Sequence, residues 1–399
     1  MMRRTALLRL LRFVSLLSVR QSLRRARRSL ASFVGVIGGL VLAFAQIGIQ
    51  DALYDGAIRL HNTLNGEVII VPAEFDMLLN PVWFERNALS TIAAQPAVAD
   101  ITYLYTAAPA IRGISGNKVQ QLLVLGLDPH APAIDTRRIG ADLSRILIPG
   151  NALWDSRSQH HWGDINGALR RHGSVDLQTA MANLSLQTPI TIVGTYELGG
   201  SITVLGSMIV SQDTFRDFGG QSAERPNMAV IRLKPGVSPE AAVAEFNQML
   251  PSHVRAVSIA ALIAEERRFW SEETPIGYFL DLSAAIGIFI CAVFVGQALV
   301  QTIDENLSEY AVLRTLDVPD GAMLLAIVLT GLFLVLAASP FAVGVATVIY
   351  RFAAAATDLP FDMTLMRSVK IVGISLLTSL FAGLLTGRRL VTADPARLL

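Results

Sequence analysis

The residues with chemistry to offer in this 399-residue chain are six histidines, one cysteine and the carboxylates among 32 acidic side chains. All six histidines (His61, His130, His160, His161, His172 and His253) fall between residues 51 and 275. His160, His161 and Asp164 invite a metal reading, but their spacing fits no standard ligand set, and a polar surface loop is the simpler account. Glu265, Glu266, Glu272 and Glu273 read as the solvated face of a charged helix rather than as a catalytic pair. Asp281 is the one acid inside a long apolar stretch, close enough to its end to bond water or a neighbouring helix at a membrane interface. Cys291 stands alone in an apolar run, so it allows neither an intramolecular disulfide nor a cysteine-based zinc site. No Gly-Lys dipeptide occurs, which excludes a G-x-x-x-x-G-K-[ST] phosphate loop, and G-x-G-x-x-G, H-E-x-x-H and G-x-S-x-G are also absent. The chain therefore cannot itself be a P-loop ATPase, and it carries none of these standard catalytic or metal-binding motifs.

Composition explains where the remaining information lies. Hydrophobic residues make up 52% of the chain and charged residues only 16%, against about 25% charged in soluble domains. Neither an ordinary cytosolic enzyme nor a disordered chain fits those proportions. The net charge of +1 hides a segregation: residues 1–50 carry nine arginines and no acid, whereas 51–275 and 276–399 are both net acidic. A membrane sorts charge in this way, whereas a nucleic-acid binder gathers its basic side chains on a folded surface.

About 20 apolar residues are needed to cross the hydrocarbon layer as a helix. Residues 30–49, 276–302, 322–350 and 371–387 supply four such stretches, the third interrupted by Pro340. The arginines before Leu30 place the N-terminus in the cytoplasm by the positive-inside bias, and four crossings return the C-terminus there. The expected organisation is a basic amphipathic segment at 1–29, transmembrane helices at 30–50, 276–302, 322–350 and 371–387, and a large extracytoplasmic domain at 51–275. A cytoplasmic loop at 303–321, a short outer loop at 351–370 and a cytoplasmic tail at 388–399 complete it. Gly35 with Gly39, and Gly383 with Gly387, form G-x-x-x-G spacings that permit close helix approach. Gln46, Gln50, Gln297 and Gln301 would gain from partners on other helices.

Within 51–275, alternating and β-branched runs predict strands at 68–71, 121–127, 146–148, 190–195, 202–210, 228–233 and 254–258. Helices are expected at 81–94, at 239–250 (Ser238 as N-cap, Pro239 at the first turn) and at 260–273. The fold class is an α-helical integral membrane protein with four transmembrane helices plus a large α+β domain between the first and second spans. That domain is tied to one span at each end, so a tilt of either would be felt in it.

Between the second and third apolar stretches, Ile303, Leu307, Tyr310, Ala311 and Arg314 recur at three- and four-residue spacing, predicting a short helix at the inner membrane surface. Here the chain resembles the FtsX/MacB-like permeases of ABC transporters, whose cytoplasmic loop carries an E-x-x-x-x-(I/V)-x-x-L-R/K-A-x-G-like stretch. Residues Arg388-Arg389-Leu390-Val391-Thr392-Ala393-Asp394-Pro395-Ala396-Arg397-Leu398-Leu399 resemble that family's closing "R…DP…aL" tail. The DevC type of four-span permease is a nearer likeness. Arg268-Phe269-Trp270-Ser271-Glu272-Glu273-Thr274-Pro275-Ile276-Gly277 is similar to its R-Y-W-x-x-x-T-P-I-G lead-in to the second span. Leu307-Ser308-Glu309-Tyr310-Ala311-Val312-Leu313-Arg314 is similar to its L-P-E-Y-A-T-L-K, and Val124-Leu125-Gly126-Leu127-Asp128-Pro129 to its V-F-G-F-D-P. A departure is Leu316-Asp317-Val318, where the family has Gly after the first of these.

The resemblance implies a permease subunit of the bacterial inner membrane, with a MacB-like periplasmic domain and no catalytic residues. Glu305, Leu307, Glu309, Tyr310, Leu313 and Arg314 would form the coupling helix that docks on a separate ABC ATPase subunit, where ATP and Mg are bound. It further implies a second permease copy (a homodimer), a periplasmic adaptor protein and, in DevC-like systems, an outer-membrane channel for expelling lipids or other amphiphiles. Membrane lipid is an expected partner and nucleic acid is not. A regulator like FtsX, which activates a periplasmic cell-wall hydrolase without transport, is the alternative. The size of the 51–275 segment and the DevC-like motifs favour the exporter.

Overall fold

The computed structural model describes residues 26–78, 82–114, 119–158, 162–179, 190–201, 204, 206–219, 224–306 and 318–392. The described chain divides into two compact units, a helical one (up to Asp51, Tyr278–Ala353 and Phe361 onward) and an α/β one (Ala52–Gly277 with Ala354–Pro360). The basic segment expected at 1–29 falls almost wholly outside the described residues, as does the tail beyond Thr392.

Four helices, α1 (Ala26–Ala57), α6 (Pro275–Glu305), α7 (Asp320–Thr357) and α8 (Leu365–Thr392), are long and apolar enough to cross a membrane. Helix is the conformation such segments must take in hydrocarbon, because it satisfies every backbone donor and acceptor internally. Their shared core joins Val36, Leu40 and Phe44 of α1 to Cys291, Val295 and Leu299 of α6 and to Val335 and Ala338 of α7. Small residues set the spacing. A Cβ on Gly39 would stand 3.1 Å from the Cα of Cys291, and one on Gly383 would stand 3.1 Å from the Cα of Val328. Polar side chains are paired across helices: Ser283 donates to Gln46, Gln50 to Asp281, and Ser32 to Gln301. Gln297 has no such partner among the described residues. It lines an open groove of about 950 Å³ along α6 and α8 with Phe289, Val300, Asp304, Phe381 and Leu385.

The α/β unit is built on one mixed sheet of eleven strands, β1 (Val68–Pro72), β2 (Val98–Ala107), β3 (Ala110–Arg112), β4 (Val119–Gln121), β5 (Leu123–Leu127), β6 (Asn151–Asp155), β7 (Val175–Thr179), β8 (Ile190–Tyr196), β9 (Ser207–Ser211), β10 (Met228–Leu233) and β11 (Val254–Ser258). Their spatial order is β11-β1-β10-β2-β5-β9-β6-β8-β7-β3-β4. Pairing is antiparallel except at β5–β9 and β6–β8. Every residue of β1 and β5 is buried, which requires cover on both faces of the sheet. Side chains alternate accordingly. Ile69 and Val71 enter a core with Leu60, Ala133, Ile134, Ile139 and Leu262, while Val68 and Ile70 enter another with Phe84, Ile92 and Phe246. The covering helices are α2 (Ile165–His172), α3 (Gln212–Gly219), α4 (Pro239–Met249) and α5 (Ile259–Arg268).

Several local expectations need correcting. Residues 146–148 form no strand: a 3-10 turn, Leu143–Ile146, capped by the Asp142 carboxylate, occupies the site, and Ile148 is exposed before Pro149. The helix expected at 81–94 shrinks to consecutive short turns, Arg86–Leu89 and Ser90–Ala93. The helix expected at 260–273 ends at Arg268 and continues as a π turn, Phe269–Glu273.

Candidate functional site

The segment that leaves α1 passes Arg59 and a 3-10 turn, His61–Thr63, closed by Thr63 Oγ1 donating to the Leu60 carbonyl at 2.7 Å. The segment that leads to α6 is α5, whose start is fixed by Ser258 accepting from the Ala261 amide at 3.1 Å. Leu262, Glu266 and Trp270 lie four residues apart and all are buried, forming the inward face of this segment. Glu266 is only 2% exposed, so it does not belong to the solvated helix face that the sequence suggested.

His61, 1% exposed, faces Glu266 with Nε2 3.8 Å from Oε2. That is too long for a hydrogen bond, and neither imidazole nitrogen has another partner among the described residues. Glu266 is held elsewhere: Trp270 Nε1 donates to its Oε1 at 3.0 Å and the Leu78 amide to its Oε2 at 3.2 Å. Burial pushes the Glu266 carboxyl up to about 7, chiefly through loss of solvation, against the lowering effect of its two donors. The same desolvation pushes the His61 imidazole down to about 4. On the flank of this pair, Arg267 forms an ion pair with Asp55. The π turn that follows places Thr274 Oγ1 against the Trp270 carbonyl at 2.8 Å and lets it accept from the Gly277 amide at 3.3 Å. A Cβ on Gly277 would lie 2.2 Å from the Ser271 carbonyl oxygen, so the closing glycine of the 268–277 motif is required by backbone proximity.

A small cavity of 20 Å³ adjoins the pair, lined by Arg59, Leu78, Leu198, Ser207, Glu266 and Trp270. Room for about one water, and no more, is available at that volume. Its lining residues Leu198, Gly199 and Ser207 are held by Asp155, fully buried at the end of β6, which accepts from the amides of Arg157, Leu198 and Gly199 (3.1, 3.1 and 2.7 Å) and from Ser207 Oγ at 3.1 Å. Tyr196 donates to the same Ser207 hydroxyl at 2.7 Å. Burial raises Asp155 and Tyr196 alike. This network ties β6, β8 and β9 together.

The residues singled out from sequence are distributed as follows. Glu305 ends α6 and accepts from Gln301 Nε2 at 3.2 Å; Leu307, Glu309, Tyr310, Leu313 and Arg314 lie outside the described residues. Gly35 and Gly39 of α1 lie against Phe294 and Cys291 of α6, and Gly383 and Gly387 of α8 against Val328 and Leu324 of α7. Asp281 accepts from Gln50 on the neighbouring α1. Asp164 caps α2 by accepting from the Gly167 amide at 2.7 Å, and His160 and His161 lie outside the described residues. Among the described residues, no three His, Cys, Asp or Glu side chains are grouped to hold a metal.

No protein-family model and no curated protein matches the chain. Among solved structures it is similar to the periplasmic region of MacB from Actinobacillus actinomycetemcomitans, at 7% identity and a TM-score of 0.33, covering 51% of this chain and 93% of that one. It is similar to the extracellular domain of the noncanonic ABC-type transporter YknZ from Gram-positive bacteria, at 10% identity and a TM-score of 0.32, covering 49% and 100%. A domain of a permease protein from Porphyromonas gingivalis gives 17% identity and a TM-score of 0.30, covering 50% and 89%.

Proposed function

We propose that the chain is the membrane-spanning permease subunit of an ABC-type exporter. In this reading the helix from Glu305 to Leu316 seats on a separate ATPase subunit at the inner membrane surface, and the stroke of that engine reaches the α/β domain on the other side. Both termini are cytoplasmic. A second copy completes the permease, and the domain works with a periplasmic adaptor and an outer-membrane channel to expel a lipid or other amphiphile. The observation that carries the reading is the pair of long motifs, 268–277 and 307–314, that bracket α6. One precedes an apolar helix and the other follows it, as a relay between a docking surface and an external head requires. Four helices long and apolar enough to cross a membrane, together with an α/β domain, support it, and the sequence carries no G-x-x-x-x-G-K-[ST] motif.

Docking is tested with Leu313→Asp and Arg314→Glu, assayed for ATPase activity of the reconstituted complex and for membrane insertion. Loss of coupled activity with insertion intact is expected, and normal coupled activity in both variants refutes docking. Sidedness is tested by thiol labelling of Tyr310→Cys and of Glu197→Cys. Labelling from the same side removes the reading altogether.

A further inference from the structure

Docking and relay leave the buried His61–Glu266 pair without a role. Two ionisable side chains are rarely placed in a desolvated site with no hydrogen bond between them, because unmet polar groups cost free energy. Here they also face each other across the two strands of chain that lead to the helices flanking the domain. We propose that His61 and Glu266 share one exchangeable proton and act as a latch, fastening the 58–63 turn that follows α1 to helix α5, which leads through the π turn into α6.

The charge balance follows from the surroundings. From the first segment come His61 and, on the wall of the adjoining cavity, Arg59, whose Nη1 is bonded to the carbonyls of Leu198 and Asp358. From the loop after β1 come the Leu78 amide and Asp76, whose charge opposes ionisation of Glu266. The π turn supplies the Trp270 indole N–H, and β9 supplies Ser207, already engaged by Asp155. Within α5 itself, Glu265 is held by Arg255 and Arg267 by Asp55, so neither serves the pair. In the neutral state the carboxyl O–H of Glu266 faces the imidazole nitrogen, an acceptor 3.8 Å away. Loss of that proton leaves a carboxylate among Leu60, Leu78 and Leu198, beside the Asp76 charge.

The sign is fixed by burial. Because the folded carboxyl is raised from 4.5 to about 7, its stabilising contribution is complete below 4.5 and is lost as pH rises through 7. His61 contributes in the opposite sense, so comparison with a variant is needed to isolate the latch. Hydrogen–deuterium exchange of the full-length protein in detergent micelles reads it directly. The ratio of wild-type to Glu266→Gln protection in peptides covering 58–64, corrected for intrinsic rates, is expected to fall about tenfold between about pH 6 and about pH 8. Peptides of β10 report no such change. A ratio flat across that range overturns the proposal. Should Glu266→Gln not fold, the indole N–H resonance of Trp270, assigned by Trp270→Phe, is followed in the otherwise unchanged protein. A midpoint near pH 7 with parallel loss of protection at 58–64 supports the latch, and a resonance that does not titrate overturns it. Neither readout involves the ATPase, so failure here leaves the transport reading standing.

Discussion

Arg367 donates its Nε–H to Asp51 Oδ2 at 3.0 Å with its own side chain only 6% exposed, joining the first turn of α8 to α1. Its Nη1 donates to the Asp362 carbonyl, and Lys370 Nζ stands 3.9 Å from the other Asp51 oxygen. A guanidinium is needed to serve carboxylate and carbonyl at once.

Removing one partner of this pair leaves a desolvated charge. Arg367→Ala is expected to cost about 2 kcal/mol, below the range for fully buried pairs because Asp51 is partly exposed and Lys370 remains. Arg367→Lys recovers less than half of the loss. A double-mutant cycle with Asp51→Asn, read as thermal midpoints in micelles, checks the coupling. A coupling energy under about 0.5 kcal/mol contradicts a cooperative pair.

Glycines in the helical unit differ in what a methyl group would meet. At Gly39 and Gly383 the obstacle is the backbone of the facing helix, whereas at Gly387 it is the far end of the Leu324 side chain, which can rotate away. Gly39→Val and Gly383→Val are therefore expected to lower the thermal midpoint, each costing about 1–3 kcal/mol, and Gly387→Ala to be nearly neutral. Equal losses at all three positions would show that close backbone approach is not what these glycines provide.

Asp155 accepts four hydrogen bonds while wholly buried. Asp155→Ala orphans those donors and should destabilise the α/β unit by about 3 kcal/mol or more. Gly199, at φ +92° and with Arg59 Nη1 in the space of its missing Cβ, should be nearly as intolerant of alanine. Proteolysis of the 52–277 region at rising temperature measures both. Wild-type resistance in Asp155→Ala would reduce the network to an incidental contact.

Acid should weaken the α/β unit through His61. Its folded imidazole is lowered from 6.5 to about 4, so the stability it contributes is complete above 6.5 and disappears as pH falls towards 4. The interval corresponds to about 3 kcal/mol. Unfolding midpoints of wild type and His61→Gln should converge as pH falls through this window. A constant difference between them would mean that His61 does not titrate on unfolding.

Much of the fold was legible because its signals are local. Charge-free runs long enough to cross a membrane have few alternatives to helix, and Ser238-Pro239 announces α4 unambiguously. The ten-residue β2 carries little local signal because Asp100 and the threonines dilute its apolar alternation, and only pairing with β10 and β5 makes it a strand. The Ile146–Ile148 run misled for the opposite reason, being β-prone in composition but governed by the Asp142 cap. Glu266 is masked by its neighbouring acids, although the register of Leu262, Glu266 and Trp270 signals that one glutamate shares the inward face. The apposition of His61 with Glu266 joins residues from opposite ends of the α/β segment, and no local pattern encodes that meeting.

The ion pair of Asp55 with Arg267 brings the beginning and end of the inserted α/β segment side by side. A segment whose two ends are neighbours is a removable cassette: grafting a different head between Asp55 and Arg267 requires no change in the length of any apolar helix. Evolution and engineering alike can therefore exchange the α/β unit while leaving the four apolar helices untouched.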